Sequence, residues 1–500
     1  MKIRKIGTVL IVFLLFFSCL PVKIKAVPPT IIVYDENDLD TYIAAATEET
    51  ILSLANDITL TKALVIPSGK EIILTSGHTG STAYCLIGAD GDFVINVLGK
   101  LSIDGITVCH LPGTSGGGVN IGSGTATSPI GLNGTCYLLT GLITGNSRNS
   151  GAGVHNNTGT FIMTGGTISG NTASYDGGGV ANQSHAIFRM SGGEITNNSA
   201  DLGGGISAVG PVEISGGTIS LNTATYRGGG IDNMYAFGTL VMSGGTITHN
   251  TAGNMGGGVM VDGSTFTMTG GTISENQATY GGGVYVKNIE AWYGIEPGIL
   301  SISGAVSIIG NKALSTLLGN GGGGIYIANY DYTKLTIGAA TIFTNNTAGT
   351  LSQPAINIAS LYPNIQAAST SSYSHPLNNY DINYKEVLIA VTYNPNGGTG
   401  GKSFSGVARN IQAATAAEAG VSKKNCTLES WNTMPDGSGT RIEIGDSLLL
   451  LDPLTLYAQW QFNGASPDTG DSANLYVTAL LLLSLGGVLL SAKRKHRSLS

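Results

Sequence analysis

The chain carries little charge. Of its 500 residues, 11% are aspartate, glutamate, lysine or arginine, and the formal net charge is −7. No basic block lies outside the two termini. Because binding to nucleic acid depends on a strongly basic surface, we expect no nucleic-acid partner.

Cysteine is also scarce. Apart from Cys19 in the N-terminal apolar stretch, the chain has Cys85, Cys109, Cys136 and Cys426. Cys109 and Cys136 fall at different positions of the sequence repeat described below, so the spacing does not predict a disulfide framework. We expect buried free thiols at these positions. Nothing in the sequence indicates a cofactor or a metal, and the repeated aspartate of a calcium-binding nonapeptide roll is missing.

Glycine, in contrast, is abundant and is part of a repeat. The chain has 75 glycines, and Ile-x-x-Asn occurs eight times between Ile143 and Asn345. The copies start 25, 27, 24, 28, 26, 35 and 34 residues apart, and six of them lead into a run of three glycines. A period in the twenties with β-forming residues and glycine predicts a solenoid, in which each repeat is one turn of a stack.

One repeat, residues 161–183, predicts three short strands separated by glycine turns, which is typical of a triangular parallel β-helix. The isoleucine of each copy should stack on its counterparts inside the helix. The asparagines should form a hydrogen-bonded ladder at one corner. An alternative is that they face solvent and bind glycan. They are Asn146, Asn171, Asn198, Asn222, Asn250, Asn276, Asn311 and Asn345. A short helix at residues 38–49 should cap the N-terminal end, and residues 352–385 should form a terminal cap and linker.

The Gly-Gly-Thr-Ile-Ser pattern at Gly165, Gly216 and Gly270 resembles the pectate-lyase-like β-helix repeats of secreted bacterial surface proteins. The resemblance implies an all-β fold, a right-handed parallel β-helix over residues 27–385. Some relatives with this fold cleave polysaccharides, a reaction that needs clustered carboxylates. No two carboxylates share a repeat position on neighbouring turns, and Asp262 with Lys287 predicts only an exposed ion pair. We therefore predict no catalytic residues, with a polysaccharide lyase or hydrolase as the alternative.

Aromatic residues gather in the later turns. The residue second after each glycine triplet should point outward, and at the last two triplets it is Tyr285 and Tyr326. An insertion, residues 288–298, carries Trp292 and Tyr293 on an expected protruding loop. Exposed aromatic rings often stack on sugars, so these four residues are candidate ligand contacts. The alternative is that Trp292 folds down to cover its own enlarged turn.

The segment 391–462 has a different composition. It contains the motifs Gly397-Gly398, Trp431-Asn432, Asp436-Gly437 and a closing Leu456-Tyr-Ala-Gln-Trp460. Together these motifs resemble the Listeria–Bacteroides repeat, of the B-repeat type in internalin B. The resemblance implies a small β-grasp-like module. Its tryptophans are expected in the core, and a spacer is its expected role.

The two ends carry targeting signals. Residues 1–26 have a basic start, an apolar stretch and Ala26, as in a secretory signal peptide; lipidation at Cys19 is an alternative. Residues 475–492 are apolar, which predicts a transmembrane helix, and a basic tail follows.

The pentapeptide before this apolar segment completes the C-terminal signal, residues 463–500. It consists of Ser466, Pro467, Asp468, Thr469 and Gly470. In this position it resembles a Gram-positive cell-wall sorting signal of the Leu-Pro-x-Thr-Gly type, with Ser466 in place of leucine. The resemblance implies cleavage by a sortase after Thr469 and covalent attachment of Thr469 to peptidoglycan.

The sequence thus predicts a secreted adhesin or binding protein displayed on a Gram-positive cell wall. Its expected partners are a sortase, peptidoglycan, a glycan or host surface protein, and transiently the membrane through residues 475–492. A structural stalk without ligand is the remaining alternative.

Overall fold

The computed structural model describes residues 28–78, 83–125, 128–291, 294–316, 321–349, 359, 362–370, 374–384, 389–407, 410–450 and 453–464. The chain divides into two compact units. The larger unit extends to Lys385 apart from residues 355–357, and the smaller one contains the segment from Glu386 onward.

The larger unit is a parallel β-helix. Its strands align into four stacked sheets, I to IV. From Thr135 to Ile327 each turn visits them in the order I, II, III and IV, whereas the earlier turns pass from sheet II directly to sheet IV. All pairs within these sheets are parallel, as expected when equivalent strands of successive turns lie side by side. The prediction of a parallel β-helix is confirmed. The sequence predicted three strands per turn, and the expected polar corner is in fact the short strand of sheet III.

Sheets I and II each contain twelve strands. Those of sheet I are Thr30–Val33, Thr50–Leu54, Glu71–Ser76, Lys100–Asp104, Thr135–Leu138, Thr160–Met163, Ile187–Met190, Val212–Ile214, Thr239–Met242, Thr265–Met268, Ile299–Ile302 and Leu335–Ile337. Those of sheet II are Ile58–Thr59, Cys85–Ile87, Thr107–Cys109, Leu142–Thr144, Thr167–Ser169, Glu194–Thr196, Thr218–Ser220, Thr246–Thr248, Gly271–Ser274, Val306–Ile309, Ile342–Thr344 and Ala368–Ser369.

Sheets III and IV are shorter, with seven and ten strands. Sheet III contains Ser147–Ser150, Thr172–Asp176, Ser199–Leu202, Thr223–Arg227, Thr251–Ala252, Gln277–Ala278 and Lys312–Ala313. Sheet IV contains Leu64–Ile66, Phe93–Val97, Gly117–Ile121, Val154–Asn156, Val180–Asn182, Ile206–Ala208, Ile231–Met234, Val259–Asp262, Val284–Lys287 and Ile325–Ile327. Two hairpins interrupt the turns, Ser123–Thr125 with Ser128–Leu132 and Ile289–Ala291 with Gly294–Glu296.

Stacked apolar side chains fill the interior. The repeat isoleucines of neighbouring turns pair directly: Ile168 pairs with Ile195, Ile195 pairs with Ile219, and all three are buried. Phe161 stacks on Phe188 with 5.0 Å between ring centroids. Because every turn contributes to one continuous core, no single turn buries its apolar face alone.

The asparagines form a ladder inside the corner between sheets II and III. The Nδ2 of Asn198 donates to Asn222 Oδ1 at 3.0 Å and to the main-chain oxygen of Ile168 at 2.9 Å. The main-chain N–H of Asn198 also donates to Asn222 Oδ1, at 3.0 Å. The same pattern links Asn146, Asn171, Asn198, Asn222, Asn250, Asn276, Asn311 and Asn346. These side chains are buried, and they do not face solvent.

The assignment of Asn345 to the ladder is wrong. Asn346 occupies that place, and in the same turn Phe343 pairs with Ile308 while Ile342 is 52% exposed. The last copy of the motif is therefore read one residue later, as Phe343 to Asn346.

Both ends of the stack are covered. The helix Glu36–Ala45 buries Leu39 and Ile43, and Asp35 caps its N-terminus by accepting the N–H of Asp38 at 2.9 Å. At the other end lie the 3₁₀ turns Ala328–Tyr330 and Tyr332–Lys334. Residues 374–384 follow there, and the N–H of Ile325 donates to Asp381 O at 2.6 Å.

The smaller unit contains a mixed five-stranded sheet. Its strands are, in spatial order, Ser403–Val407, Ile389–Asn394, Leu454–Phe462, Cys426–Asn432 and Arg441–Ile442. Two further pairs are Thr399–Gly400 with Val421–Ser422 and Asn410–Gln412 with Ser447–Leu449. A short helix, Ala416–Ala419, packs beside them. Trp431 is fully buried and its indole N–H donates to Ala414 O at 2.7 Å, so it is a core residue.

Candidate functional site

The candidate site lies on the outer face of sheet IV. The residues second after each glycine triplet form one column there, in the register Ala181, Ser207, Asp232, Met260, Tyr285 and Tyr326. The sequence predicted that this column faces outward and is exposed. In the structure its first four members are buried and the two tyrosines are half-buried.

Residues that precede the triplets cover this column. Each triplet makes a tight reversal, so that the end of a sheet III strand folds back over the following strand of sheet IV. Ser207 Oγ accordingly donates to Asp176 Oδ2 at 3.3 Å, and Arg227 reaches Asp232 on its own turn. Repeat phase alone does not reveal these two contacts, because it relates each position only to the same position on other turns.

The reversal requires glycine at all three positions of the triplet. Gly228 adopts a left-handed backbone with φ of 67°. A Cβ on Gly229 would lie 2.4 Å from Gly257 O, and one on Gly230 would lie 2.6 Å from Gly258 O. The triplet therefore lets successive turns approach closely enough for sheets III and IV to stay in register.

A buried charge cluster occupies the middle of the site. Arg227 lies between two carboxylates: its Nε is 3.1 Å from Asp232 Oδ2, and its Nη1 bonds Asp262 Oδ2. Lys287 Nζ is 3.3 Å from Asp262 Oδ1. The predicted pairing of Asp262 with Lys287 is present, but its expected exposure is wrong, because only 1% of the Asp262 side chain is exposed.

Burial changes the acidity of Asp232. Loss of solvation raises the pKa of this carboxyl to about 7, and the nearby cation of Arg227 only partly opposes the effect. Among the described residues, none forms a hydrogen bond with Asp232 Oδ1. A buried carboxyl with a pKa of about 7 is about half protonated at neutral pH, and its protonated form can donate a hydrogen bond, which an ionised aspartate cannot do.

A group of tyrosines continues the site toward the C-terminal turns. The rings of Tyr285 and Tyr326 are stacked, with centroids 4.7 Å apart and planes 13° apart. The ring of Tyr280, two residues after the sheet III strand Gln277–Ala278, lies 5.7 Å from that of Tyr326 in a tilted arrangement. Burial raises the pKa of Tyr326 to about 12, so the phenol keeps its proton. We call Tyr280, Tyr285 and Tyr326 the tyrosine cluster.

The structure thus brings two of the four predicted ligand contacts together, Tyr285 with Tyr326. Trp292 and Tyr293 lie outside the described residues, although the hairpin strands on either side of them are described. Sequence reasoning missed Tyr280 and the Arg227–Asp232 contact. Both could have been found in the sequence by pairing the residue just before each glycine triplet with the residue second after the same triplet.

The targeting segments fall outside the described residues. This applies to the signal peptide at residues 1–26, the sorting residues Ser466 to Gly470 and the apolar segment 475–492. Over the described ranges, no helix is both long and apolar enough to cross a membrane. The same ranges contain no group of three or more His, Cys, Asp or Glu side chains suited to hold a metal ion.

The expectation for the cysteines is partly wrong. Cys136 is buried, but Cys85, Cys109 and Cys426 are only half-buried, and all four are free thiols. Comparison of the chain with protein families, with curated proteins and with solved structures finds no significant match in any of the three.

Proposed function

We propose that this protein is an exported, wall-anchored binding protein of a Gram-positive bacterium, and that the tyrosine cluster contacts its ligand. The support for anchoring is the order of the sorting pentapeptide, apolar segment and basic tail in the sequence. On this proposal, sortase joins Thr469 to peptidoglycan, and the β-grasp-like module serves as a spacer. We further infer that the β-helix is right-handed, as nearly all crossovers between parallel strands are.

The observation that carries the binding proposal is the half-exposed stacked pair of Tyr285 and Tyr326. Their backbones belong to neighbouring strands of one continuous sheet, so the rings are held in place before any ligand arrives. Preorganised aromatic groups lose little conformational entropy on binding. Lys287, 27% exposed, places a cation two residues from Tyr285. Rings with phenol groups beside a cation suit a carbohydrate or another polar surface ligand.

A glycan array with the purified full-length chain tests this proposal. Tyr326→Ala should weaken retention of the bound glycan at least tenfold, while Tyr326→Phe keeps the ring and separates stacking from hydrogen bonding by the hydroxyl. Tyr34→Ala is the matched control, since Tyr34 is an exposed tyrosine that precedes the N-terminal helix. Equal binding by all four proteins would remove the tyrosine cluster from the proposal.

A second candidate function is polysaccharide cleavage. The observation in its favour is Asp232, a carboxyl with a raised pKa close to Asp262. Against it, both carboxylates are fully buried and Arg227 contacts both. Assays for new reducing ends and unsaturated products decide between the two: product that disappears in Asp232→Asn would establish an enzyme. Silence in these assays and on the array would favour a stalk without ligand.

Anchoring is tested separately. Thr469→Ala should abolish covalent attachment, so muramidase should no longer release the protein, which would stay with the membrane fraction through residues 475–492. If muramidase released the variant as it releases the wild type, the proposed sorting signal would be wrong.

A further inference from the structure

Lys287 lies beside the tyrosine cluster on the outer side of sheet IV. In the strand Val284–Lys287, Val284 and Val286 are fully buried in the interior, so Tyr285 and Lys287 point to the outer side. Two residues along a parallel strand span about 6.6 Å. The Lys287 side chain is 27% exposed, so its ammonium group can reach a ligand that lies on the tyrosine rings.

The two neighbouring turns treat Lys287 differently. On the preceding turn its register partner is Asp262, and Lys287 Nζ is 3.3 Å from Asp262 Oδ1. On the following turn Tyr326 pairs with Tyr285, and the same register places Ala328 beside Lys287. Because alanine carries only a methyl group and Lys287 remains partly exposed, a ligand can approach the ammonium group from this side.

The charge cluster contains two cations and two carboxylates. Arg227 contacts both Asp232 and Asp262, whereas Lys287 forms an ion pair only with Asp262 among the described residues. The contact of Lys287 is also the looser one, since Asp262 Oδ1 accepts no hydrogen bond within the described part of the chain. Arg227, with 11% of its side chain exposed, is thus the internal partner of Asp262. Lys287 is the cation that a ligand can recruit.

We propose that Lys287 binds the carboxylate of an acidic sugar whose ring stacks on Tyr285 and Tyr326. This rests on the proposed function, in which the tyrosine cluster holds the ligand. A carboxylate carries one negative charge and matches the single available cation, whereas a phosphate monoester carries about 1.5 to 2 negative charges. Hydrogen bonds to ionised groups are roughly twice as strong as neutral ones, so the acidic sugar should bind more tightly than its neutral counterpart.

The protonation of Asp232 should control how much positive charge this site offers. The charged groups that face Asp232 are Arg227, Asp262, Lys287 and, from an earlier turn, Asp176. When Asp232 and Asp262 are both ionised, they balance Arg227 and Lys287. When Asp232 is protonated, one positive charge is in excess, and it lies at the partly exposed Lys287. Because burial raises the pKa of Asp232 to about 7, the excess charge is present below pH 7 and is lost above it.

A glycan array of matched pairs tests the preference for acidic sugars. It carries β-1,4-linked tetramers of glucuronic acid and of glucose, which represent a polymer, and sialyllactose with lactose, which represent a terminal sugar. We expect the purified full-length chain at pH 6 to bind the acidic member of at least one pair about tenfold more tightly than the neutral member. Lys287→Met keeps the length of the side chain and should abolish this preference while leaving the binding of neutral members unchanged. Lys62→Met is the matched control, because Lys62 is ion-paired with Asp40 of the N-terminal helix.

The outcomes separate this inference from the proposed function. Equal binding of acidic and neutral members would overturn the role of Lys287 and leave the tyrosine cluster as the binding site. A preference for acidic members that survives Lys287→Met would do the same. Absence of binding to every member of the array would overturn carbohydrate binding and the role of Lys287 together.

The pH dependence of binding gives a second readout. Calorimetric titration with the acidic glycan that binds most tightly should show an affinity that falls about fivefold from pH 6 to pH 8.5, at the lower end of typical coupling between two sites. Asp232→Asn is uncharged at both pH values, so it should keep the higher affinity throughout. Glu213→Gln, in the exposed ion pair with Arg189, is the control for the loss of one negative charge. A wild-type affinity that stays constant, or a fall that persists in Asp232→Asn, would overturn the control by Asp232.

Discussion

His110 Nδ1 lies 2.9 Å from the side-chain oxygen of Asn146, in the place that an asparagine occupies on each later turn. Because Asn146 Nδ2 already donates to Asn171, its Oδ1 is the acceptor and His110 Nδ1 carries the hydrogen. The other ring nitrogen, Nε2, is 3.1 Å from Ala89 O. The ring fits between Gly88 and Gly116, where a Cβ would lie 2.5 and 2.2 Å from Nε2.

The opposite end of the ladder is a carboxylate. Asn346 Nδ2 donates to Asp381 Oδ1 at 2.9 Å, and Asp381 Oδ2 accepts from Ser369 and Asn378. Every asparagine between His110 and Asp381 donates in the same direction along the stack. The amide dipoles are therefore aligned, with their N–H ends toward a carboxylate and their oxygen end toward a donor.

Removing one member of the ladder should destabilise the whole stack. Asn222→Ala leaves the buried N–H groups of Asn198 and the carbonyl of Ile195 without their partners. We expect a loss of about 3 kcal/mol in the free energy of unfolding, since each unsatisfied buried group costs about 1–3 kcal/mol. Urea denaturation followed by circular dichroism measures it. Asn149→Ala is the control, because Asn149 is exposed and, among the described residues, its side chain bonds only the Ser174 hydroxyl. An equal loss in both variants would contradict the ladder's role.

Removing the carboxylate at the C-terminal end of the ladder should destabilise only the turns nearest to it. Asp381→Ala removes the acceptor for Asn346, Ser369 and Asn378, so the last turns lose their cap. Hydrogen exchange should accelerate at least tenfold in Ile325–Ile327 and Leu335–Ile337, while Thr160–Met163 keeps its protection. Uniform acceleration over all of these strands would instead indicate global destabilisation.

Most of this architecture could be predicted from the sequence because each repeated residue has a structural role. Isoleucine fills the interior, asparagine forms the ladder, and glycine makes the tight reversals, so each recurs once per turn. It could not settle the last copy, where Asn345 and Asn346 are adjacent. In the preceding turns, the residue before the ladder asparagine has a left-handed backbone, as at Leu221, His249 and Glu275. Asn345 takes this conformation with φ of 56°, which asparagine tolerates well, and Asn346 enters the ladder.

The candidate site was harder to predict for a related reason. Its contacts join positions on two sides of a glycine reversal, and one of them, between Arg227 and Asp262, also crosses to the next turn. The position of a residue within the repeat shows which residues stack on neighbouring turns, as Tyr285 and Tyr326 do. It does not show how closely the end of a sheet III strand folds back over sheet IV. That depends on the three-dimensional path of the triplet.

The triplet itself gives a stability prediction. Gly229→Ala would place a Cβ 2.4 Å from the main-chain oxygen of Gly257, on a neighbouring turn that cannot move without breaking its own pairing. We expect a loss of about 3 kcal/mol, at the upper end of the cost of overpacking. Gly77→Ala is the control, since no atom of the described residues lies within 4 Å of its Cβ position. A thermal unfolding midpoint that falls for Gly229→Ala alone would support the close approach of the turns, and equal midpoints would contradict it.

Asp232 should make stability depend on pH. Its folded pKa of about 7 lies above the value of about 3.9 for an unfolded aspartate. The folded state therefore holds its proton over a range in which the unfolded chain releases it. The stabilisation from this proton is complete below about pH 4 and is lost as the pH rises through 7, by roughly 1.4 kcal/mol for each pH unit between the two values.

Asp232→Asn removes this titration while keeping the shape of the side chain. We expect the unfolding free energy of the variant, measured relative to that of the wild type, to increase by a few kcal/mol from pH 4 to pH 8. Urea denaturation at several pH values measures it. Glu213→Gln, in the exposed ion pair with Arg189, controls for the loss of one negative charge. Parallel curves for wild type and Asp232→Asn would mean that Asp232 is ionised in the fold at every pH tested, with Arg227 outweighing its burial.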